Sequence, residues 1–153
     1  MRESAILKSQ QNEKHLNRHM SKIFIQFLIS QTLVVGIVSV IFSVIENRYQ
    51  AGMMAGALFI MQGIWILWLG QGMPALRKRP TYIIALLQLF IFSIPMVLIR
   101  FLNSSQEFQS LNIWGLRGPI FHQISTLVYL ALMIATAVDV WRSRRNDGNN
   151  GEL

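Results

Sequence analysis

Four stretches of this chain, Ile23 to Ile45, Ala51 to Gly70, Tyr82 to Ile99 and Pro119 to Val138, contain no Asp, Glu, Lys or Arg. No other feature limits the fold as strongly. The stretches are 18 to 23 residues long, and at about 1.5 Å per residue a helix of that length reaches roughly 27 to 35 Å, close to the ~30 Å of a hydrocarbon core. In lipid the backbone has no water to bond to, so a spanning segment must be a helix or part of a closed barrel. A barrel would show segments of about ten residues alternating in polarity, whereas these stretches are continuously apolar. The expected fold class is all-α: a polytopic membrane protein with a four-transmembrane-helix bundle. All 14 basic and 7 acidic residues lie outside the stretches, which excludes a soluble domain with a mixed charged surface and a disordered chain.

With their flanks the spans cover 23–45, 51–70, 82–102 and 119–141, forming one transmembrane domain over 23–141. Residues 1–22 read as a basic cytoplasmic tail and 142–153 as a polar, disordered one. The first apolar run is too long for a cleavable signal and lacks a small-residue cleavage site, so it is expected to be retained. The connecting segments are too short to fold alone. The absence of cysteine removes both disulfides and thiol chemistry.

Orientation follows from Lys and Arg. Arg2, Lys8, Lys14, Arg18 and Lys22, then Arg77, Lys78 and Arg79, then Arg142, Arg144 and Arg145 all fall at one end, against Arg48, Arg100 and Arg117 at the other. The positive-inside rule therefore puts both termini in the cytoplasm, in a plasma (inner) membrane. The formal charge of +7 marks topology and attraction to anionic lipid. Membrane lipid is the expected partner rather than nucleic acid, because the basic residues are split among three short segments without base-stacking aromatics. Arg77, Lys78, Arg79 and, at the opposite boundary, Arg100 are the candidate headgroup contacts. Arg100 stands out because Phe101 and Leu102 continue the apolar run beyond it, setting its guanidinium at the membrane boundary. Asp139, three residues before Arg142, reads as one half of an ordinary interfacial ion pair. Trp65, Trp68 and Trp141 at one boundary, with Tyr49 and Trp114 at the other, read as interface anchors.

The second span carries Gly52 and Gly56 as a GxxxG pair, and Gly63 and Gly70 follow Gly56 at seven-residue steps. Residues so spaced return to one face, where missing side chains let a neighbouring helix approach closely. That face is expected to seat the first or third helix of the bundle, or else another subunit. Pro95 predicts a kink in the third span. In the third loop, Ser104 and Glu107 match a capping box, and Phe108, Leu111, Ile113 and Trp114 follow at helical spacing. They predict a short interfacial helix ending near Gly115.

Chemistry is sparse. No carboxylate lies within the four charge-free stretches, and His122, in the first turn of the fourth, is the one side chain there that titrates near neutrality. His122, Thr126, Tyr129, Met133 and Thr136 share one helical side, with Gln123 and Ser125 beside them. They form either a polar pathway or a set of hydrogen bonds to Gln26, Ser30, Gln31, Gln62 or Gln88 of other spans. No metal or cofactor is expected: His15 and His19 lie far from His122 along the chain, no ligand set is complete, and the eight Met residues have no ligand spacing. HExxH, GxSxG, P-loop and GxGxxG patterns are missing, so no enzyme is expected.

The plan of a basic N-terminus, four spans and a glycine-bearing second span is shared by several families of small bacterial membrane proteins and singles out none. Two functions are consistent with it. One is a non-catalytic accessory, assembly or interaction subunit that docks a membrane-protein partner, or a second copy, through transmembrane helix faces. The alternative is a small oligomeric transporter or channel with a polar path along the fourth helix.

Overall fold

Each charge-free block lies within one long helix. The computed structural model describes the backbone of residues 2–149 and the side chains of residues 19–145. The first helix runs over Arg2–Val44, the second over Arg48–Gly72, the third over Pro80–Leu102 and the fourth over Gly118–Asn149. Within them His19–Val44, Arg48–Gly72, Pro80–Leu102 and Gly118–Arg145 are long and apolar enough to cross a membrane.

The links between helices are encoded locally. Asn47 caps the second helix: its Oδ1 accepts from the N–H groups of Tyr49 and Gln50 at 3.0 and 3.3 Å, satisfying donors that a first helical turn leaves unpaired. The second helix ends where Met73 turns extended ahead of Pro74. A single turn, Pro74–Arg77, then leads to Pro80, which opens the third helix in the position where a missing N–H does no harm.

The first helix packs on the second and fourth, and the third packs on the same two, closing a ring of four. Buried positions recur every three or four residues, as a packed helix face requires. They are Met20, Phe24, Phe27 and Gln31 on the first helix, and Phe121, Ser125, Tyr129, Leu132, Thr136, Asp139 and Ser143 on the fourth. Large apolar side chains such as Ile29, Ile64, Ile83 and Leu127 face outward, an arrangement that suits lipid rather than water.

Pro95 is accommodated by a widened turn: Gln88–Ser93 form a π-helix immediately before it. Proline has no N–H for the carbonyl four residues back and its ring crowds that carbonyl, and a π-turn is one established way of absorbing the clash. The wide turn brings Gln88, Leu89, Phe92 and Ser93 into the interior together.

Two expectations are corrected at the ends. The third loop contains no interfacial helix. Its backbone makes successive tight turns, Gln106 N–H to the Asn103 carbonyl and Ser110 N–H to the Glu107 carbonyl, both at 3.0 Å. Asn112–Ile113 then pair with Leu116–Arg117 as a two-residue hairpin. Trp114 and Gly115 form its turn, with φ of 55° and 80°, the positive values that such a turn needs. Ile113, fully buried, packs with Phe92 and Phe121, so burying that side chain in the end of the bundle prevails over the helical spacing. The segment after residue 141, expected to be disordered, continues the fourth helix to Asn149. Residues 150–153 of that tail lie outside the described residues, as do the side chains of the basic tail before His19.

Candidate functional site

The polar side chains of the helices fall into three groups, one at mid-bundle and one at each end. At mid-bundle the fourth helix contributes Ser125 and Tyr129. Tyr129 Oη donates to Gln62 Oε1 at 2.9 Å and lies 3.2 Å from the Gln31 carbonyl. Gln62 Nε2 donates to Ser30 Oγ at 2.9 Å, and Gln88 Nε2 donates to Ser125 Oγ at 3.0 Å. All four helices are tied together through uncharged groups, at a depth where an unpaired polar group is costly. A cavity of about 10 Å³ borders Gln62, Gln88 and Tyr129, room for about one water molecule and nothing larger.

The proposed polar side of the fourth helix divides. Tyr129 and Thr136 point inward, and Thr136 Oγ1 bonds back to the Leu132 carbonyl at 2.8 Å. His122 and Thr126 are exposed, and Thr126 Oγ1 bonds to the His122 carbonyl at 2.9 Å. Met133 is half-buried. The structure thus joins Tyr129 to Gln62 and to the Gln31 backbone carbonyl, and Ser125 to Gln88, but does not join either group to His122.

At the end rich in Lys and Arg, here the basic end, Asp139 is fully buried. Its Oδ2 accepts from Thr81 Oγ1 at 2.7 Å and from Thr81 N at 3.3 Å, and its Oδ1 lies 3.8 Å from Arg79 Nη1. The third helix has no side-chain cap of its own, so a carboxylate from the fourth helix satisfies its first free donors and complements the positive end of its dipole. This role is invisible along the chain, because 58 residues separate Thr81 from Asp139. The only signal available in sequence is a carboxylate at a buried-stripe position, seven residues after Leu132. Of the candidate headgroup cations, Arg77 directs Nε to the Gly70 carbonyl at 2.7 Å, closing the end of the second helix. Arg79 takes part in the ion pair, and Lys78 is exposed.

At the opposite, hairpin end, Arg100 lies across the bare backbone of Gly52. Its Nη2 donates to the Arg48 carbonyl at 3.0 Å, and its Cζ sits 5.9 Å from the Tyr49 ring centroid and 4.9 Å from that of Phe108, within cation–π range. The Phe108 ring meets the His122 ring edge-on at 6.3 Å. Of the expected anchors, Trp68, Trp114 and Trp141 are exposed, while Trp65 is half-buried against Phe27.

Four of the five glycines of the second helix face the third; the fifth, Gly72, is its last residue and has no described group within 4 Å of where its Cβ would be. Gly52 meets Arg100, Gly56 meets Val97, Gly63 meets Leu89 and Gly70 meets Tyr82. A Cβ on Gly63 would stand 2.8 Å from Leu89 Cδ1. The glycine face therefore seats a helix of the same chain, one of the occupants expected from sequence. Gly36 of the first helix differs: among the described residues nothing lies within 4 Å of the point where its Cβ would be.

Comparison of the chain with protein-family models, with curated proteins and with solved structures returned no match.

Proposed function

We propose that this chain is a non-catalytic accessory or assembly subunit of the plasma (inner) membrane, with both termini in the cytoplasm, that docks one helix of a partner membrane protein on the outer half of its first helix. Gly36 carries this proposal. A glycine within a helix costs roughly 0.5 to 1 kcal/mol relative to alanine. In the second helix that cost is offset where the third helix packs into the space, but at Gly36 no group among the described residues does so. Thr32, Ser39 and Ser43 share its face at steps of three and four residues, all exposed, and after Gln31 no residue of the first helix is buried. The hydroxyls of Thr32 and Ser43 bond to carbonyls of their own helix, so these two meet an apolar neighbour without a polar penalty. Small residues at such spacing allow close helix approach. The placement in the membrane rests on the four apolar helices and on the skew of Lys and Arg toward the basic end.

The absence of cysteine makes the test clean. Single-cysteine variants at Ser39 and, as a lipid-facing control, at Ile134 are crosslinked in native membranes. A discrete heterologous adduct from Ser39→Cys, lost when Gly36→Leu is added and absent from Ile134→Cys, is the expected result. A homodimer adduct from Ser39→Cys, or equal adducts from both positions, would overturn the docking proposal.

A further inference from the structure

We infer that a recess at the basic end binds the phosphate of an anionic phospholipid, with Lys78, Arg79 and Arg142 as its cations. The recess has a volume of about 540 Å³ and is walled by Met20 of the first helix, by Pro74 and Ala75 of the turn between the second and third helices, by Pro80 at the start of the third, and by these three cations, Arg142 coming from the fourth helix. Small-molecule sites run from roughly 300 to 1,000 Å³, so a headgroup fits. Apolar walls beside a concentration of positive charge suit an amphiphile held where the apolar helices end.

The surplus of charge is local. Asp139 stands behind Arg79, fully buried, with Oδ2 committed to both donors of Thr81, so it orients one cation of the three. Lys78 and Arg142 are exposed and have no carboxylate within 4.0 Å among the described residues. Among the described residues, other basic side chains of the same end do not line the recess: Arg77 is turned to the Gly70 carbonyl, and Arg145 lies over the Trp141 ring at 5.4 Å. Basic pockets between helices on the cytoplasmic side are suited to phospholipid headgroups, and Lys and Arg both recognise phosphate oxygens. The lipid is favoured over free phosphate because Ala75 and the exposed Pro74 and Pro80 offer contacts that only an amphiphile uses. The inference rests on the membrane placement proposed above and not on the docking face of the first helix.

The test uses the full chain purified in mild detergent, with lipid binding counted by native mass spectrometry. Phosphatidylglycerol is expected to bind in preference to phosphatidylcholine. At about five-fold per charge, Lys78→Gln with Arg142→Gln is expected to weaken phosphatidylglycerol binding on the order of twenty-five-fold. Arg144→Gln with Arg145→Gln, which removes the same charge outside the recess, is expected to change it less than about two-fold, in keeping with a contact-range effect. Millimolar inorganic phosphate should leave the lipid in place. Equal binding of the two lipids, equal losses in the two double variants, or displacement by inorganic phosphate would each overturn the inference. Should the first double variant fail to fold, Lys78→Glu alone, at an exposed position, serves in its place. Membrane extraction of the same chain tests the placement separately, so a failure there is distinguishable from loss of the lipid site.

Discussion

Asp139 shows how far one side chain's role depends on where the fold places it. Beside Arg142 in sequence it reads as half of an interfacial ion pair; in the structure it holds the start of the third helix through Thr81 and lies near Arg79 instead. Asp139→Ala is expected to lower stability by about 3 kcal/mol, since it strips partners from Thr81 and from a half-buried guanidinium. Thr81→Val, which keeps the backbone contact, is expected to cost about 1 kcal/mol. The double variant should lose less than the sum, as coupled partners do. Unfolding in mixed micelles by titration with a denaturing detergent measures all three. At mid-bundle, Tyr129→Phe removes one hydroxyl that touches two helices. The same titration should show a loss of about 0.6 kcal/mol, with ~1.7 kcal/mol as the upper end for such bonds in a membrane. A loss beyond that range would mean that Tyr129 does more than join helices.

Among the elements, the glycines separate packing inside the chain from packing outside it. Gly63→Ala drives a methyl group into Leu89 and is expected to destabilise the bundle by about 1 to 3 kcal/mol, the usual range for overpacking. Gly36→Ala meets open space and should be neutral or stabilising by up to about 1 kcal/mol in the isolated chain, while weakening partner crosslinking in membranes. Thermal unfolding of the two variants side by side checks the contrast. The hairpin that replaces the expected interfacial helix depends on Gly115 at φ 80°. Gly115→Ala is expected to cost on the order of 1 to 2 kcal/mol, and hydrogen exchange at Ile113 and at Gly118, whose N–H donates to the Leu111 carbonyl, should report the loosening. This hairpin is hard to read along the chain because its first turn position is Trp114 rather than the Asn or Asp that marks two-residue turns. Meanwhile Phe108, Leu111, Ile113 and Trp114 imitate a helical period.

For the whole molecule, orientation is the property open to direct test. Gln71 at the basic end and Gln106 at the hairpin end are both exposed. With no native cysteine, Gln71→Cys should react with a membrane-impermeant maleimide only after cells are opened, and Gln106→Cys in intact cells whose outer layers admit the reagent. The reverse pattern would invert the bundle and move the phospholipid recess to the opposite leaflet.

The number of helices of spanning length, and the approximate bounds of the second and third, were legible in sequence alone, because a charge-free run of that length can satisfy its backbone in lipid only as a helix; the first helix begins at Arg2 rather than near Ile23, and the fourth runs on to Asn149. The glycine spacing likewise marks a close helix contact, since four small residues on one face leave room only for a neighbour. The tertiary structure decided which helix fills that face, and it parted His122 from Tyr129 by turning one outward and one inward. It also made Asp139 an interhelical cap and gathered Lys78, Arg79 and Arg142 around one recess. Those outcomes depend on contacts between residues far apart in the chain, and local periodicity records which face of a helix is apolar but not which partner lies against it.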